Sequence, residues 1–268
     1  MRKLKNIIPA TSNETDREID KKLKDRFEIL ESMTQAAIDG DIKSLIVSGP
    51  AGLGKSFTVE EALEAADPNE DNHTVVRGYV KATGLYRTLW EYKEKGQIVI
   101  FDDSDSVFGD DTALAMLKAV TDSTERRRVS YLADYDMVDS DANIIPRQFQ
   151  FDGTIIFITN LDFDALIDKN NKLSPHLAAM VSRSHYIDLA MKTQRDYFIR
   201  IKQVLKQGLL ANKGLTKAQE RKVLKFIDQN SADLREMSLR VALKLADLIK
   251  RNPASFEKMA KVTVLRGL

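Results

Sequence analysis

Residues 44–60 read Ser44-Leu45-Ile46-Val47-Ser48-Gly49-Pro50-Ala51-Gly52-Leu53-Gly54-Lys55-Ser56-Phe57-Thr58-Val59-Glu60. A short apolar run, fit for a buried strand, meets a glycine-rich turn from which a helix opens at Lys55. The turn fits G-x-x-x-x-G-K-[ST] in the strand–loop–helix setting that gives the motif its meaning. Glycines let the backbone curl so that successive N–H groups point at one anion, and the helix start adds positive potential. Gly49, Pro50, Ala51, Gly52, Leu53, Gly54, Lys55, Ser56 and Phe57 are therefore the expected nucleotide-binding stretch. Lys55 would reach the terminal phosphates and the Ser56 hydroxyl would ligate Mg²⁺. The bland alternative is a plain glycine-rich turn.

A second motif follows some fifty residues on. Ile98-Val99-Ile100-Phe101-Asp102-Asp103 is an apolar strand ending in carboxylates. Asp102 at such a strand end would hold Mg²⁺ through water, and Asp103 would polarise an attacking water as general base. Asp105 is one carboxylate more than this scheme needs, and a structural role is an equal alternative. Guanine recognition would call for N-K-x-D. The nearest match, Asn171-Lys172-Leu173-Ser174, lacks the Asp, which argues against GTP.

The remaining chain is organised around these motifs. Its 268 residues are 43% hydrophobic and 30% charged, a globular balance, with 41 Lys and Arg against 40 Asp and Glu. The absence of cysteine excludes disulfides, thiol catalysis and Cys-type zinc sites. The three histidines, His73, His176 and His185, lack ligand spacing. No apolar run is long enough to span a membrane, and the opening MRKLKNIIPATSNE lacks the core of a secretory leader, so a cytoplasmic protein is expected. Charge is unevenly distributed: residues 191–268 carry 18 Lys and Arg against 7 Asp and Glu, whereas residues 1–190 are net acidic. That shift predicts a boundary near residue 190, with a 1–190 nucleotide-binding domain (residues 1–40 as helical lead-in) and a 191–268 helical domain. Strands are also expected at Val75–Val80, Thr154–Thr159 and Tyr186–Leu189. Helices are expected at 14–38, Leu85–Lys95 and Thr112–Asp122, and an acidic loop or hairpin at 129–150. Short apolar strands alternating with helices predict an α/β fold with a parallel sheet covered on both faces.

Thr154-Ile155-Ile156-Phe157-Ile158-Thr159-Asn160 ends a buried strand in a polar pair, and Ser182-Arg183-Ser184 precedes the last strand. The order of P-loop, strand-Asp-Asp, strand-Thr-Asn and Ser-Arg-Ser, followed by a helical tail, resembles the AAA+ ATPases over about residues 40–250. The resemblance implies an α/β P-loop NTPase with a five-stranded parallel sheet in 5-1-4-3-2 order and a C-terminal helical lid. It implies that Asn160 is the sensor-1 residue. Arg183 would be an arginine finger like that of the Ser-Arg-Cys box of clamp-loader subunits, and Arg240, in the first turn of a lid helix after Ser238, the sensor-2 arginine. Arg235 is the rival for Arg240; Arg126, Arg127 and Arg128, at the end of the helix after Asp102, are rivals for Arg183 or a second finger, with a solvated helix end the plainer reading for at least two of them. The stretches Leu85-Tyr86-Arg87-Thr88-Leu89 and Phe101–Ser106 also look like small AAA+ proteins encoded by bacteriophages.

The implied activity is hydrolysis of Mg-ATP between subunits of a homo-oligomer, a hexamer by resemblance, in the host cytoplasm if phage-encoded. The work done would be remodelling or loading of a protein or protein–DNA complex, with DNA a possible partner and no membrane involved. An ATP-gated module with little hydrolysis and a P-loop kinase remain alternatives. One departure matters: most active members carry Asp-Glu where this chain has Asp102-Asp103. The basic tail, including Lys202, Lys206, Lys213, Lys217, Arg221, Lys222 and Lys225, reads as a solvated face, as a DNA contact, or as a surface for the acidic core of the next subunit. Tyr79 and Lys81 are candidates for a loop that grips a polymer.

Overall fold

The computed structural model describes residues 9–267; residues 1–8, part of the opening stretch considered above, lie outside the described residues. Five parallel strands form the main sheet: β1 (Ser44–Ser48), β2 (His73–Arg77), β3 (Ile98–Asp102), β4 (Thr154–Thr159) and β5 (His185–Asp188). Their order is β2-β3-β4-β1-β5, the expected 5-1-4-3-2 read from the opposite edge. Every residue of β1, β3 and β4 is buried, which is why these segments are unbroken Ile, Val and Phe runs rather than alternating ones. The edge strands β2 and β5 are only partly covered.

Helices are α1 (Asp16–Ile38), α2 (Lys55–Ala66), α3 (Ala82–Glu91), α4 (Asp111–Val120), α5 (Phe163–Asp168), α6 (Ser174–Arg183), α7 (Gln194–Lys206), α8 (Lys217–Gln229), α9 (Leu239–Arg251) and α10 (Phe256–Val264). Among the described residues no helix is long and apolar enough to cross a membrane. Most element bounds fall within two residues of those read in the sequence, and two elements differ by more. β2 stops at Arg77 because Gly78 turns the chain with φ +90° and the Val80 N–H leaves the ladder for Ser106 Oγ at 3.0 Å. α3 runs from Ala82 to Glu91 instead of Leu85 to Lys95; the Glu94 N–H, which in a continued helix would bond the Trp90 carbonyl, donates to Gln97 Oε1 at 2.9 Å. The acidic stretch forms two short antiparallel pairs, Arg128–Ser130 with Gln148–Gln150 and Met137–Val138 with Ile144–Ile145.

The chain divides into two compact units. One holds residues 28–49 and 55–189, with the sheet and α2 to α6. The other holds residues 9–27, 50–54 and 190–267. The lead-in is divided between them: residues 9–27, with the first half of α1, group with the C-terminal helices, and residues 28–40 group with the sheet. Arg195 pairs with both Asp16 of α1 (2.6 Å) and Asp228 of α8 (3.0 Å), and Arg26 donates to the Ala190 carbonyl at 3.0 Å. In the helical unit α7 and α8 start at reciprocal capping boxes, Thr193 with Asp196 and Thr216 with Gln219. The apolar faces of α7 to α10 meet around Phe226, Leu245 and Phe256. In the sheet unit the core runs through Phe101 and Phe157, stacked at 5.7 Å, to Phe108 and Phe163.

Arg127 is a buried part of this core and not a solvated helix end. Its guanidinium donates to the carbonyls of Val120 (3.0 Å) and Gly153 (2.8 Å) and lies over the Phe151 ring. Burial holds its pKa below the ordinary arginine range. Arg127→Ala should strip both carbonyls of a charged donor and cost about 2–4 kcal/mol in denaturant unfolding. A loss within experimental error would show that the guanidinium carries no structural load.

Candidate active site

The sheet register builds the site. Ser48, the last residue of β1, is level with Thr159 of β4, and Asp102, the last of β3, is level with Ile158. The residues that follow these strand ends, Gly49, Asp103 and Asn160, must then emerge at the same edge. The Asp103 N–H bonds to the Ile158 carbonyl at 2.9 Å and the Gly49 N–H to the Thr159 carbonyl at 3.2 Å, which extends the register past the strands. This is the carboxyl end of a parallel α/β sheet, where such folds place their ligands.

Polar side chains converge there. Lys55 is buried, and its Nζ donates to the Gly49 carbonyl at 2.7 Å and to Asn160 Oδ1 at 3.0 Å. The other end of the same amide, Asn160 Nδ2, donates to Asp103 Oδ1 at 2.6 Å. Asn160 thus bridges the cation of the loop and the second carboxylate of β3. Beside this chain of bonds, Ser56 Oγ donates to Asp102 Oδ1 at 2.8 Å. A hydroxyl and a carboxylate this close form a hard-oxygen pair. They fit Mg²⁺, which takes one or two such protein ligands and completes its shell with phosphate and water oxygens.

Asp103 sits at φ +51°, a left-handed conformation that Asp tolerates better than most residues. Asp105 is not spare. It opens the short helical turn Asp105–Phe108 and accepts the Thr159 hydroxyl at 2.6 Å. Burial raises its carboxyl above the ordinary range, the Thr159 bond opposes that, and the Asp103 charge adds to it. Arg77, unremarked in the sequence, closes β2. Its Nε donates to Asp102 Oδ2 at 3.0 Å and its terminal nitrogen pairs with Glu60 of α2. These two carboxylates, Glu60 foremost, hold the guanidinium above its ordinary pKa.

Within the helical unit, the loop residues 50–54 rest on α9 and α7. The Leu239 N–H donates to the Gly52 carbonyl at 2.9 Å. A methyl placed on Gly52, whose φ is +74°, would lie 2.7 Å from Ser238 Cβ and 3.7 Å from Arg240 Cγ. Arg240 therefore stands in the first turn of α9 beside the loop. Arg235 instead lies by the chain end, its N–H on the Val264 carbonyl. Ser238 precedes α9 as expected, but its hydroxyl donates to Glu236 at 2.6 Å and caps nothing. A second residue without a sequence signal of its own is Arg200 of α7. It is 6% exposed, its Nε donates to the Leu53 carbonyl at 3.2 Å, and its guanidinium lies 3.2 Å from the centre of the Phe27 ring. The only hint was an arginine inside the apolar run Phe198-Ile199-Arg200-Ile201.

Other expected residues stand apart from the Lys55 cluster in their own chain. Arg183 ends α6 and pairs with Asp122 at 3.7 Å. Phe57 is exposed in the first turn of α2. Arg128 belongs to a short strand of the 128–150 insertion, and Lys172 of the guanine-like tetrad pairs with Asp111.

A five-stranded parallel sheet of this order, with a P-loop after its first strand and a set of C-terminal helices, is the AAA+ P-loop fold. The RuvB Holliday junction branch migration motor of Thermotoga maritima matches 92% of this chain and 69% of its own with a TM-score of 0.51 at 14% identity. A mutant of that motor matches 90% and 68% with a TM-score of 0.52. The chain is also 37% identical over 241 residues to an uncharacterized 36.7 kDa protein from the nrdC-mobD intergenic region of Enterobacteria phage T4, covering 89% of this chain and 73% of the relative. It belongs to the family of that phage protein. No protein-family model matches it.

Two outcomes follow from this geometry. Gly52→Ala combines a left-handed backbone with a clash against Ser238 and should lower stability by at least about 1 kcal/mol in urea unfolding. Unchanged stability would mean that the loop does not rest on Ser238. Asp105 has a raised folded-state pKa, so ionising it costs folding free energy as pH rises from its unfolded pKa through the folded one. Asp105→Asn keeps an acceptor for Thr159 and should raise the melting temperature at pH 7. That gain should shrink as pH falls through the unfolded-state value of 3.8 and be gone by about pH 3, where the native Asp is protonated in both states. A gain of equal size at both pH values would rule out titration as its cause.

Proposed function

We propose that this protein is an oligomeric ATPase that binds and hydrolyses Mg-ATP and spends the energy on remodelling or loading a protein or protein–DNA complex. The observation that carries the reading is the bonded series Lys55–Asn160–Asp103 beside Ser56–Asp102. A lysine, an amide, two carboxylates and a hydroxyl stand at one strand edge, beside a glycine-rich loop that opens a helix. Gly49 to Phe57 would cradle the nucleotide, with the N–H groups of the loop and of α2 directed at phosphate oxygens. Ser56 and Asp102 would hold Mg²⁺, which when bound neutralises phosphate charge. Lys55 stabilises the terminal phosphates, and by the AAA+ resemblance Arg240 is the candidate for a further positive charge.

Asp103 accepts from Asn160 and is thereby oriented to take a proton from water; the same amide positions the water. By the AAA+ resemblance Arg183, at the end of α6 beside Asp122, would act on the phosphoryl group of an adjoining copy. A finger supplied in this way makes hydrolysis depend on assembly, as in a hexameric ring. DNA is a candidate partner, in keeping with the branch migration motor that shares the fold. The phage relative is in keeping with a place in the host cytoplasm; a role in phage DNA metabolism belongs to the same proposal. Tyr79, exposed between β2 and α3, is the residue best placed to touch a polymer.

The second reading, an ATP-gated loader that turns over slowly, rests on Asp103. Its side chain is one methylene shorter than Glu and is already bonded to Asn160 at 2.6 Å. A carboxylate about an ångström short of the water can cost on the order of a hundredfold in rate. Basal hydrolysis should accordingly be slow, and Asp103→Glu should accelerate it at least several-fold. Fast turnover in the unaltered chain with no gain from the longer acid would dismiss the loader. Mixing inactive Lys55→Ala and Arg183→Ala chains should restore part of the activity, because mixed assemblies contain interfaces with both intact residues. No recovery in a mixture shown to co-assemble would place the finger elsewhere.

A further inference from the structure

Asp102 is the one carboxylate assigned to the divalent cation, and both of its oxygens are engaged. Oδ1 takes the Ser56 hydroxyl at 2.8 Å; Oδ2 takes Arg77 Nε at 3.0 Å. The first partner is a co-ligand of the cation. The second is a fixed positive charge. Arg77 is directly opposite Asp102 in the β2–β3 register, so the ladder holds its backbone at this distance. Its outer nitrogen is anchored by Glu60, a residue of the same helix that begins with Lys55 and Ser56. The carboxylate is 5% exposed, whereas the Arg77 side chain is 56% exposed, so the charge acts across the boundary between the buried acid and solvent.

We infer that Arg77 is a standing counter-cation on Asp102 that sets the affinity of the nucleotide-bound protein for its divalent ion. The inference rests on the Mg-ATP reading above. A guanidinium bonded to the metal-binding acid lowers the negative potential available to a doubly charged ion and occupies the oxygen that faces away from Ser56. Glu60 works in the opposite direction by neutralising part of the guanidinium charge and drawing it outward. The pair makes occupancy of the site responsive to divalent ion concentration rather than saturated at all times. Arg77 touches neither phosphate nor water in this scheme; it is a positioning residue acting through Asp102.

For a unit charge about 6 Å from a divalent ion in a solvent-like dielectric with salt screening, Coulomb's law gives a change of about three- to tenfold in affinity. The experiment is a titration of Mn²⁺ into the full chain saturated with ADP, reading free Mn²⁺ by electron paramagnetic resonance. Arg77→Gln should tighten Mn²⁺ binding about three- to tenfold, Arg77→Lys should stay near the unaltered value, and Glu60→Gln should weaken it. ADP affinity in EDTA should be the same for all four proteins, which also reports that each is folded. A purely structural role for Arg77 would leave Mn²⁺ affinity unchanged or weaken it in Arg77→Gln, and either result overturns this inference alone. Failure of the unaltered chain to bind ADP would remove the Mg-ATP reading and this inference together.

Discussion

The parallel register of β1, β3 and β4 is the constraint on which the rest of the molecule depends. Because Ser48 is level with Thr159 and Asp102 with Ile158, three segments distant in sequence end at one edge. Those ends carry the phosphate-binding loop, the paired acids and the amide. A parallel ladder needs long crossover connections, and the helices that supply them bury both faces of the sheet. Fully buried strands tolerate no slip: a shift of one residue would exchange the side chains packed on the two covered faces and separate Asn160 from Asp103 and Lys55. Core packing and site geometry are thus one requirement.

The electrostatics at that edge follow from the same crowding. Asp102, Asp103 and Asp105 stand within four residues, and each is engaged by a different partner: Ser56 and Arg77, Asn160, and Thr159. Distributing hydrogen-bond donors over three acids allows them to coexist at a partly buried strand end, where an unpartnered carboxylate would be costly. It also separates their roles. One acid faces the Ser56 hydroxyl, one faces the Asn160 amide, and one braces the end of β4.

Much of this was legible in the sequence because the signals were local. The glycine-rich loop, the apolar strands ending in Asp102 and Asn160, and the strand order implied by the AAA+ resemblance all rest on contiguous residues. What escaped rests on long-range pairing. Arg77 reads as an ordinary strand-end arginine until the register sets it opposite Asp102. Arg200 reads as the polar face of α7 until its guanidinium is found on the Leu53 carbonyl and the Phe27 ring. Arg127 looked solvated because it follows a helix, yet the antiparallel insertion folds over it. The end of β2 was misplaced for a more local reason: Val75 to Val80 is apolar enough to extend a strand, but Gly78 turns the chain and Ser106 removes the Val80 N–H from the ladder. The pairing of Asp16, in the first turn of α1, with Arg195 of α7 is likewise long-range and has no local signal.

The claim beneath all of this is that the strand edge at Lys55 receives a nucleotide triphosphate. Its most direct test is calorimetric titration of the full chain and of a Lys55→Ala chain with ATP and magnesium. The account predicts one saturable site per chain in the unaltered protein and loss of that site when the lysine is removed. Equal binding by both proteins, or none by either, would contradict it.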